Sequence, residues 1–283
     1  MQSAGPFLER QVELPSGRTF YVEAGKGIPL VLVHGLLGSC FSWRKNIPAL
    51  AEHFRVLALD LVGCGRSEAL REDKYGIEAW SRQLEKFLDA LELPAVHLLG
   101  TSTGGAVALD FAARHGDRLK RLVLVAPLSP FSRRAAFLSR MSRLPALPDI
   151  ILGLLVRNAT LLAPFLFRHL LYSHISRLTP ETIPGYLEGI RVEVTVPMLR
   201  QALRGWQPSH LASRLSHVTT PTLLVWGEED KPVPLSSALP LLTRLPSATL
   251  VMVPRAGHLC YEEFPELFDE KVLSFFRSAP LVP

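Results

Sequence analysis

Runs of apolar residues recur at regular intervals along most of the chain, with helix-like stretches between them. Two short alternating segments, 11–14 and 19–23, flank Pro15-Ser16-Gly17 and predict an antiparallel hairpin. Six later runs are almost continuously apolar, as buried parallel strands are, and they cover residues 29–33, 54–59, 95–99, 122–125, 222–226 and 249–253. The segments between them predict helices over 41–53, 77–91, 104–115, 235–245 and 262–277. This order predicts an α/β fold with a mostly parallel, eight-stranded sheet flanked by helices.

The alternation stops between residues 127 and 216. This segment is rich in leucine, phenylalanine and arginine, is repeatedly interrupted by proline, and contains no run that predicts a parallel strand. We therefore expect a core domain of residues 1–126 and 217–283. Residues 127–216 are predicted to form a helical cap, or lid, inserted after the sixth strand over the carboxyl edge of the sheet.

Composition fits a folded protein of this kind. The 283 residues are 48% hydrophobic and 20% charged, which is enough for a large core in one α/β domain or in a domain with an insertion. The three cysteines have no C-x-x-C spacing, which argues against a disulfide framework and a zinc site. The N-terminus has no secretory pattern, so a reducing, cytoplasmic location is expected.

The net charge of +5 is modest, but arginines gather between residues 133 and 177. No aromatic or glycine-rich nucleic-acid motif accompanies them, so no nucleic-acid partner is expected. They indicate a solvated helix face or, as a further hypothesis, weak contact of the basic cap with an anionic membrane surface. The apolar runs 150–156 and 161–167 are each too short to cross a bilayer. The sequence indicates no oligomeric state.

The first candidate for chemistry is Gly100-Thr101-Ser102-Thr103-Gly104, directly after the apolar run 95–99. It matches the nucleophile-elbow pattern G-x-S-x-G, in which a sharp strand-to-helix turn presents a serine. A serine hydroxyl is a poor nucleophile unless it is lifted out of the backbone towards a base. An ordinary Gly/Ser turn is the alternative for so short a pattern.

Other polar loops follow neighbouring predicted strands, and ligands bind outside the carboxyl ends of such strands. One of these loops, His34-Gly35-Leu36-Leu37-Gly38-Ser39, is glycine-rich and has backbone N–H groups suited to an anion. The remaining loops are Asp60-Leu61-Val62-Gly63-Cys64-Gly65-Arg66-Ser67, Trp226-Gly227-Glu228-Glu229-Asp230 and Ala256-Gly257-His258.

Together these five loops resemble, in order and position, the α/β-hydrolase superfamily. The resemblance implies that Ser102 attacks, that His258 takes and returns its proton, and that Asp230 fixes the imidazole tautomer. It also implies an oxyanion hole formed by the backbone N–H groups of Leu36 and Thr103. No metal and no cofactor are implied.

Several assignments have alternatives. Glu228 and Glu229 adjoin Asp230, and His258 could simply satisfy a loop. His34 is expected to support the oxyanion loop, and Asp60 to hold its own turn together. The candidate pocket residues are apolar, with core packing an equal alternative for the first of them: Trp43, Phe131, Phe137, Met141 and Phe165.

The serine at the elbow excludes the epoxide hydrolases and haloalkane dehalogenases of this superfamily, which use aspartate there. The apolar cap favours an acyl or aryl group. The leading hypothesis is therefore a serine hydrolase that cleaves a small to medium hydrophobic carboxylic ester through an acyl-enzyme. The alternatives are a carbon–carbon bond hydrolase or thioesterase on the same triad, or a small-molecule receptor with slow turnover.

Overall fold

The structure, a computed structural model, describes residues 7–69, 75–144 and 147–278. Eight strands form one sheet in the order β1-β2-β4-β3-β5-β6-β7-β8. They are β1 (Leu8–Leu14), β2 (Gly17–Ala24), β3 (Pro29–Val33), β4 (Arg55–Leu59), β5 (Val96–Thr101), β6 (Leu119–Val125), β7 (Thr222–Gly227) and β8 (Ala248–Val253). β2 is antiparallel to β1 and β4, and every pair from β4 to β8 is parallel. The predicted sheet and its opening hairpin are confirmed.

The described part of the chain contains helices on both faces of this sheet. They are α1 (Ile47–Ala51), α2 (Ile77–Ala90), α3 (Ser102–Arg114), α4 (Arg133–Met141), α5 (Leu147–Arg157), α6 (Ala159–Leu166), α7 (Thr182–Glu188), α8 (Val192–Arg204), α9 (Pro208–Arg214), α10 (Leu239–Leu242), α11 (Cys260–Glu263) and α12 (Pro265–Arg277). The continuous helix predicted over 41–53 is wrong, because a short 3₁₀ turn, Cys40–Trp43, precedes α1. Pro48 lies at the start of α1, where a missing N–H costs nothing, so it favours a new helix at this point.

The central strands are buried on both sides, which explains their almost continuously apolar sequences. All of β5 and β7 is buried. On one face, Phe87 of α2 and Phe111 of α3 belong to the core, and on the other face Leu50 of α1 and Phe268 of α12 do so. The two layers of helices thus hold the sheet rigid beneath the loops at its carboxyl edge.

Residues 127–216, which we call the cap, contain α4 to α9 and, where the structure describes them, no strand. A buried polar cluster fastens the cap to the core. Glu262 is fully buried and accepts hydrogen bonds from Tyr172 Oη (2.9 Å), Arg44 Nη2 (2.8 Å) and Tyr186 Oη. A carboxylate can be buried here because these donors replace its lost hydration. That the cap forms a domain of its own stays a prediction.

Candidate active site

The carboxyl ends of β3, β5, β7 and β8 lie at the same edge of the sheet because these strands are parallel. The register pairs Val33 with Gly100, and Gly227 with Val253, so the strands end at similar heights. The loops and helix that follow them carry the predicted residues, Ser102, Asp230, His258 and the glycine-rich segment 34–39.

Ser102 is the first residue of α3 and directly follows β5. Its φ of +52° lies in the left-handed region, which costs a residue with a Cβ about 1–2 kcal/mol. Its side chain is half-buried, and a Cβ at Gly35 would lie 3.8 Å from Ser102 Oγ. The sharp turn predicted from the sequence is present, and it places the hydroxyl beside the glycine-rich loop.

The backbone packs so closely around this turn that neither of the two flanking glycine positions has room for a side chain. A Cβ on Gly100 would lie 2.4 Å from the carbonyl oxygen of Gly104. A Cβ on Gly104 would lie 2.3 Å from the carbonyl oxygen of His34 and 2.5 Å from that of Val33. Both positions therefore require glycine for close backbone approach.

His258 and Asp230 are brought together from different strands. His258 Nδ1 lies 2.7 Å from Asp230 Oδ2, and the two side chains are 8% and 0% exposed. Asp230 Oδ1 accepts a second hydrogen bond from the Val233 backbone N–H (2.8 Å). Because an ionised carboxylate only accepts, Nδ1 carries the proton and Nε2 is left as the basic nitrogen. The alternative acids, Glu228 and Glu229, are exposed.

Glu263 is a buried residue of this site that the sequence did not single out. Its Oε1 accepts from the Gly257 N–H (2.6 Å), and its Oε2 from the N–H groups of Ser173 (2.9 Å) and His174 (2.8 Å). Burial raises the pKa of this carboxyl, and the three backbone donors oppose that rise. Glu263 thus joins the loop of His258 to the cap. Its only signal in the sequence is a charged pair close after His258, which is also typical of an exposed helix start.

His34 is fully buried and spans two loops. Its Nδ1 donates to the Gly35 carbonyl (2.7 Å), and its Nε2 accepts from the Leu61 N–H (3.0 Å). Burial lowers the pKa of His34, which is consistent with a neutral ring that donates through one nitrogen and accepts through the other. This geometry gives His34 the supporting position expected for it.

The two predicted oxyanion donors lie on segments beside Ser102. Thr103 is in the first turn of α3, where backbone N–H groups have no partner within the helix. Leu36 lies in the glycine-rich loop next to Gly35. Within the described ranges, neither N–H donates a hydrogen bond to another protein atom. Both are therefore free to bind an anion.

The candidate pocket residues are scattered. Trp43 is fully buried and its ring packs against Tyr261 at 4.7 Å between centroids, so it belongs to the core. Phe131 is half-buried beneath the guanidinium of Arg244, 4.4 Å from the ring centre. The side chains of the other three are exposed on the cap surface, which does not support a place in an enclosed pocket: Phe137 (62%), Met141 (40%) and Phe165 (60%). An apolar cap sequence cannot by itself distinguish the inner from the outer face.

A cavity of about 290 Å³ lies near the turn held by Asp60. Asp60 accepts from the N–H groups of Cys40 (2.6 Å) and Arg66 (2.8 Å), so it holds that turn as expected. None of the three predicted triad residues lines this cavity.

The cysteines are not placed for nucleophilic chemistry. Burial raises the pKa of the Cys64 thiol to about 12 and raises the thiol pKa of Cys40 and Cys260 as well. Thiolates are therefore scarce near neutral pH. Across residues 7–69, 75–144 and 147–278, no group of three or more His, Cys, Asp or Glu side chains could hold a metal ion.

Known proteins are similar to this chain in sequence or in structure. A 2-hydroxy-6-oxo-2,4-heptadienoate hydrolase from Pseudomonas putida is 30% identical over 244 residues, which are 83% of this chain and 84% of the relative. The crystal structure of a meta-cleavage product hydrolase, CumD, matches with a TM-score of 0.78 and 26% identity, over 95% of this chain and 98% of its own. An epoxide hydrolase, CorEH, matches with a TM-score of 0.82 and 25% identity, over 96% and 99%.

A family model described as the alpha/beta hydrolase fold matches residues 28–265. The match begins just before β3 and ends at the start of α12. It therefore includes the elbow with Ser102, the loop with Asp230 and the histidine loop, Ala256-Gly257-His258. The resemblance drawn from five loops of the sequence is therefore confirmed over most of the chain. The chain belongs to the α/β-hydrolase fold family and is a hydrolase of that fold.

Proposed function

We propose that this protein is a serine hydrolase that cleaves carboxylic esters with a small to medium apolar acyl or aryl group. The observation that carries the proposal is the hydrogen bond between His258 Nδ1 and Asp230 Oδ2 at 2.7 Å. It orients the ring with Nε2 as the base, at the same sheet edge as the hydroxyl of Ser102. This division of roles is the one that acyl transfer to serine requires.

In the proposed reaction, Ser102 Oγ attacks the ester carbonyl while His258 Nε2 takes its proton. The N–H groups of Leu36 and Thr103 bind the oxygen that becomes negative, and such donors each contribute about 10²–10³ in rate. The imidazolium, stabilised by Asp230, returns the proton to the leaving alcohol and leaves an acyl-serine. A water molecule, activated by the same nitrogen, then releases the carboxylic acid and restores the hydroxyl.

Hydrolysis rates on p-nitrophenyl esters from acetate to palmitate test this proposal. We expect turnover with an optimum at one chain length, and a loss of several orders of magnitude in Ser102→Ala. Ser132→Ala is a matched control, because Ser132 caps α4 through its side chain and lies outside the triad. Equal, negligible rates for the wild-type protein and Ser102→Ala would refute ester hydrolysis.

Carbon–carbon bond hydrolysis is the second candidate, and the names of two relatives favour it. The dienoate hydrolase from Pseudomonas putida is similar in sequence, at 30% identity, and the meta-cleavage product hydrolase is similar in structure, at 26% identity. The same hydroxyl and base would act on a ketone, and the leaving group would be a carbon stabilised as an enol. Loss of the absorbance of a 2-hydroxy-6-oxo-dienoate, measured beside the ester series, separates the two reactions. Tight binding with negligible turnover of both would favour a receptor.

A further inference from the structure

Three successive helices of the cap turn apolar side chains towards solvent. We call six of them the apolar cap face: Phe137 (62% exposed) and Leu138 (52%) of α4, Ile150 (59%) and Leu154 (56%) of α5, and Leu161 (77%) and Phe165 (60%) of α6. Single exposed apolar residues are ordinary on a protein surface, but a run over three successive helices, of which α4 and α5 both pack on α8 and α6 packs on α5, marks an interaction surface.

The opposite sides of these helices are already satisfied by the protein. Val156 of α5 and Ala163 of α6 are buried, and both α4 and α5 pack against α8. Each helix therefore has one face committed to the fold and a second apolar face without a protein partner. Misplaced core residues do not explain this arrangement, because the core-facing positions are filled.

The bend between α5 and α6 favours helices that lie on a membrane surface over helices that cross the membrane. In the described part of the chain, no single helix is long and apolar enough to cross a membrane. The segments Asp149–Arg157 and Ala159–Leu171 reach that length and composition only together, and they are bent by 83°. Such a bend suits helices that lie along an interface with their apolar faces towards the acyl chains.

The charge around the face indicates what covers it. Residues 131–178 contain seven arginines and one acidic residue, Asp149, whereas the whole chain has a net charge of +5. Asp149 is neutralised by Arg200 at 3.2 Å. Arg140, Arg157 and Arg168 are exposed, and none has a carboxylate partner among the described side chains. Exposed apolar residues flanked by unpaired arginines complement an anionic lipid surface.

A second copy of the chain is a poorer occupant. A symmetric contact through this face would bring the arginines of one copy against those of the other. Such juxtaposition of like charges costs free energy at an interface. Anionic lipid headgroups, in contrast, are attracted to each of these arginines.

We propose that the apolar cap face and its arginines bind the surface of an anionic lipid bilayer. The cap segments that carry this face contact loops of the candidate active site at both ends. Leu171, just after α6, accepts a hydrogen bond from the Leu259 N–H (3.2 Å), next to His258. Arg134 of α4 donates to the Lys231 carbonyl (2.7 Å), next to Asp230. Bound in this way, the protein holds its candidate site at the lipid surface. The binding itself requires no catalysis.

Co-sedimentation with vesicles tests the proposal. The full chain is mixed at low salt with phosphatidylcholine vesicles, with or without phosphatidylglycerol. We expect binding to the anionic vesicles that weakens as salt is added. Leu161→Glu should lower the partition coefficient about tenfold, because it puts a charge in place of apolar area that the bilayer would bury. Leu239→Glu is the matched control, since Leu239 is 63% exposed on α10, outside the cap.

The electrostatic part is tested by a second pair of variants. Arg157→Glu should weaken binding to anionic vesicles at least fivefold, from about 1 kcal/mol for each arginine near the surface. Arg277→Glu, an exposed change at the end of α12, should leave binding unchanged. A circular-dichroism melt of each variant verifies folding.

Three results would overturn the proposal. They are no co-sedimentation with anionic vesicles at low salt, equal binding of Leu161→Glu and Leu239→Glu, and a lipid-free dimer that Leu161→Glu dissociates. The last result would assign the face to a second copy of the chain. Failure of the proposed reaction is a separate outcome, because Ser102→Ala should bind vesicles like the wild-type protein.

Discussion

Replacing Glu263 with glutamine tests how the histidine loop is held. Three backbone N–H groups converge on this carboxylate, from Gly257 at 2.6 Å, Ser173 at 2.9 Å and His174 at 2.8 Å. A glutamine keeps one acceptor oxygen and places an NH₂ group where the other oxygen was. That NH₂ group faces either Gly257 or the pair Ser173 and His174, so one or two hydrogen bonds are lost.

The size of the effect follows from these contacts. A hydrogen bond to a charged group contributes about 1.5–3 kcal/mol to stability. Part of this loss is offset because glutamine is neutral and the cost of burying a charge disappears. We expect Glu263→Gln to lower the free energy of unfolding by about 2–3 kcal/mol, which corresponds to roughly 4–10 °C in melting temperature for a chain of this size. Because Gly257 precedes His258, kcat should fall by one to two orders of magnitude while KM changes less.

The assays are thermal and urea unfolding, together with steady-state kinetics on the best p-nitrophenyl ester. The matched control is Glu270→Gln, because Glu270 is 67% exposed and, among the described side chains, its one ion pair is with the neighbouring Lys271. A surface pair of this kind is worth about 0–1 kcal/mol, so the control should stay close to the wild-type protein. A Glu263→Gln variant with wild-type stability and wild-type kcat would refute the reasoning.

Three further predictions concern other parts of the structure. Asp230→Asn should lower kcat about 10⁴-fold because the amide no longer fixes the proton on His258 Nδ1, and unchanged turnover would remove Asp230 from the site. Gly104→Ala should destabilise the fold by about 1–3 kcal/mol through contact with two backbone carbonyls, whereas Gly153→Ala in α5, with open space around it, should stabilise it by about 0.5–1 kcal/mol in urea unfolding. Burial raises the pKa of Asp269 to about 8 from 3.8. Its contribution to stability is therefore complete below about pH 4 and is lost as the pH rises through 8. Asp269→Asn should accordingly gain stability relative to the wild-type protein between pH 6 and pH 9, and a flat difference in melting temperature over that range would contradict the assignment.

Local signals in the sequence were sufficient for the sheet and for the elbow. The runs over 95–99 and 222–226 are almost continuously apolar because both faces of β5 and β7 are covered, and this pattern is visible without any contact information. Ser102 follows the run 95–99 and His258 the run 249–253, each within a few residues. The second run differs from a buried strand, because only Val253 of β8 is buried. Functional residues that directly follow a strand can therefore be predicted once the strand is recognised in the sequence.

Features that depend on contacts between distant segments were not accessible. Glu263 and Ser173 are far apart in the sequence, and nothing in either segment indicates that a carboxylate meets that backbone. The side on which Phe137 and Phe165 lie was also missed, since leucine and phenylalanine in an amphipathic helix look the same whether they face core, pocket or solvent. The interruption before α1 depends on one proline within a pattern that otherwise continues as a helix.

The left-handed backbone at Ser102 has a consequence for the evolution of this chain. Glycine adopts a φ of +52° without the penalty that a side chain carries. Ser102→Gly should therefore yield a protein more stable than the wild type, by up to about 1–2 kcal/mol, and without its proposed nucleophile. Selection for stability alone would therefore favour glycine at position 102. The serine at this position therefore lowers the stability of the fold, a cost that its proposed role as the nucleophile would offset.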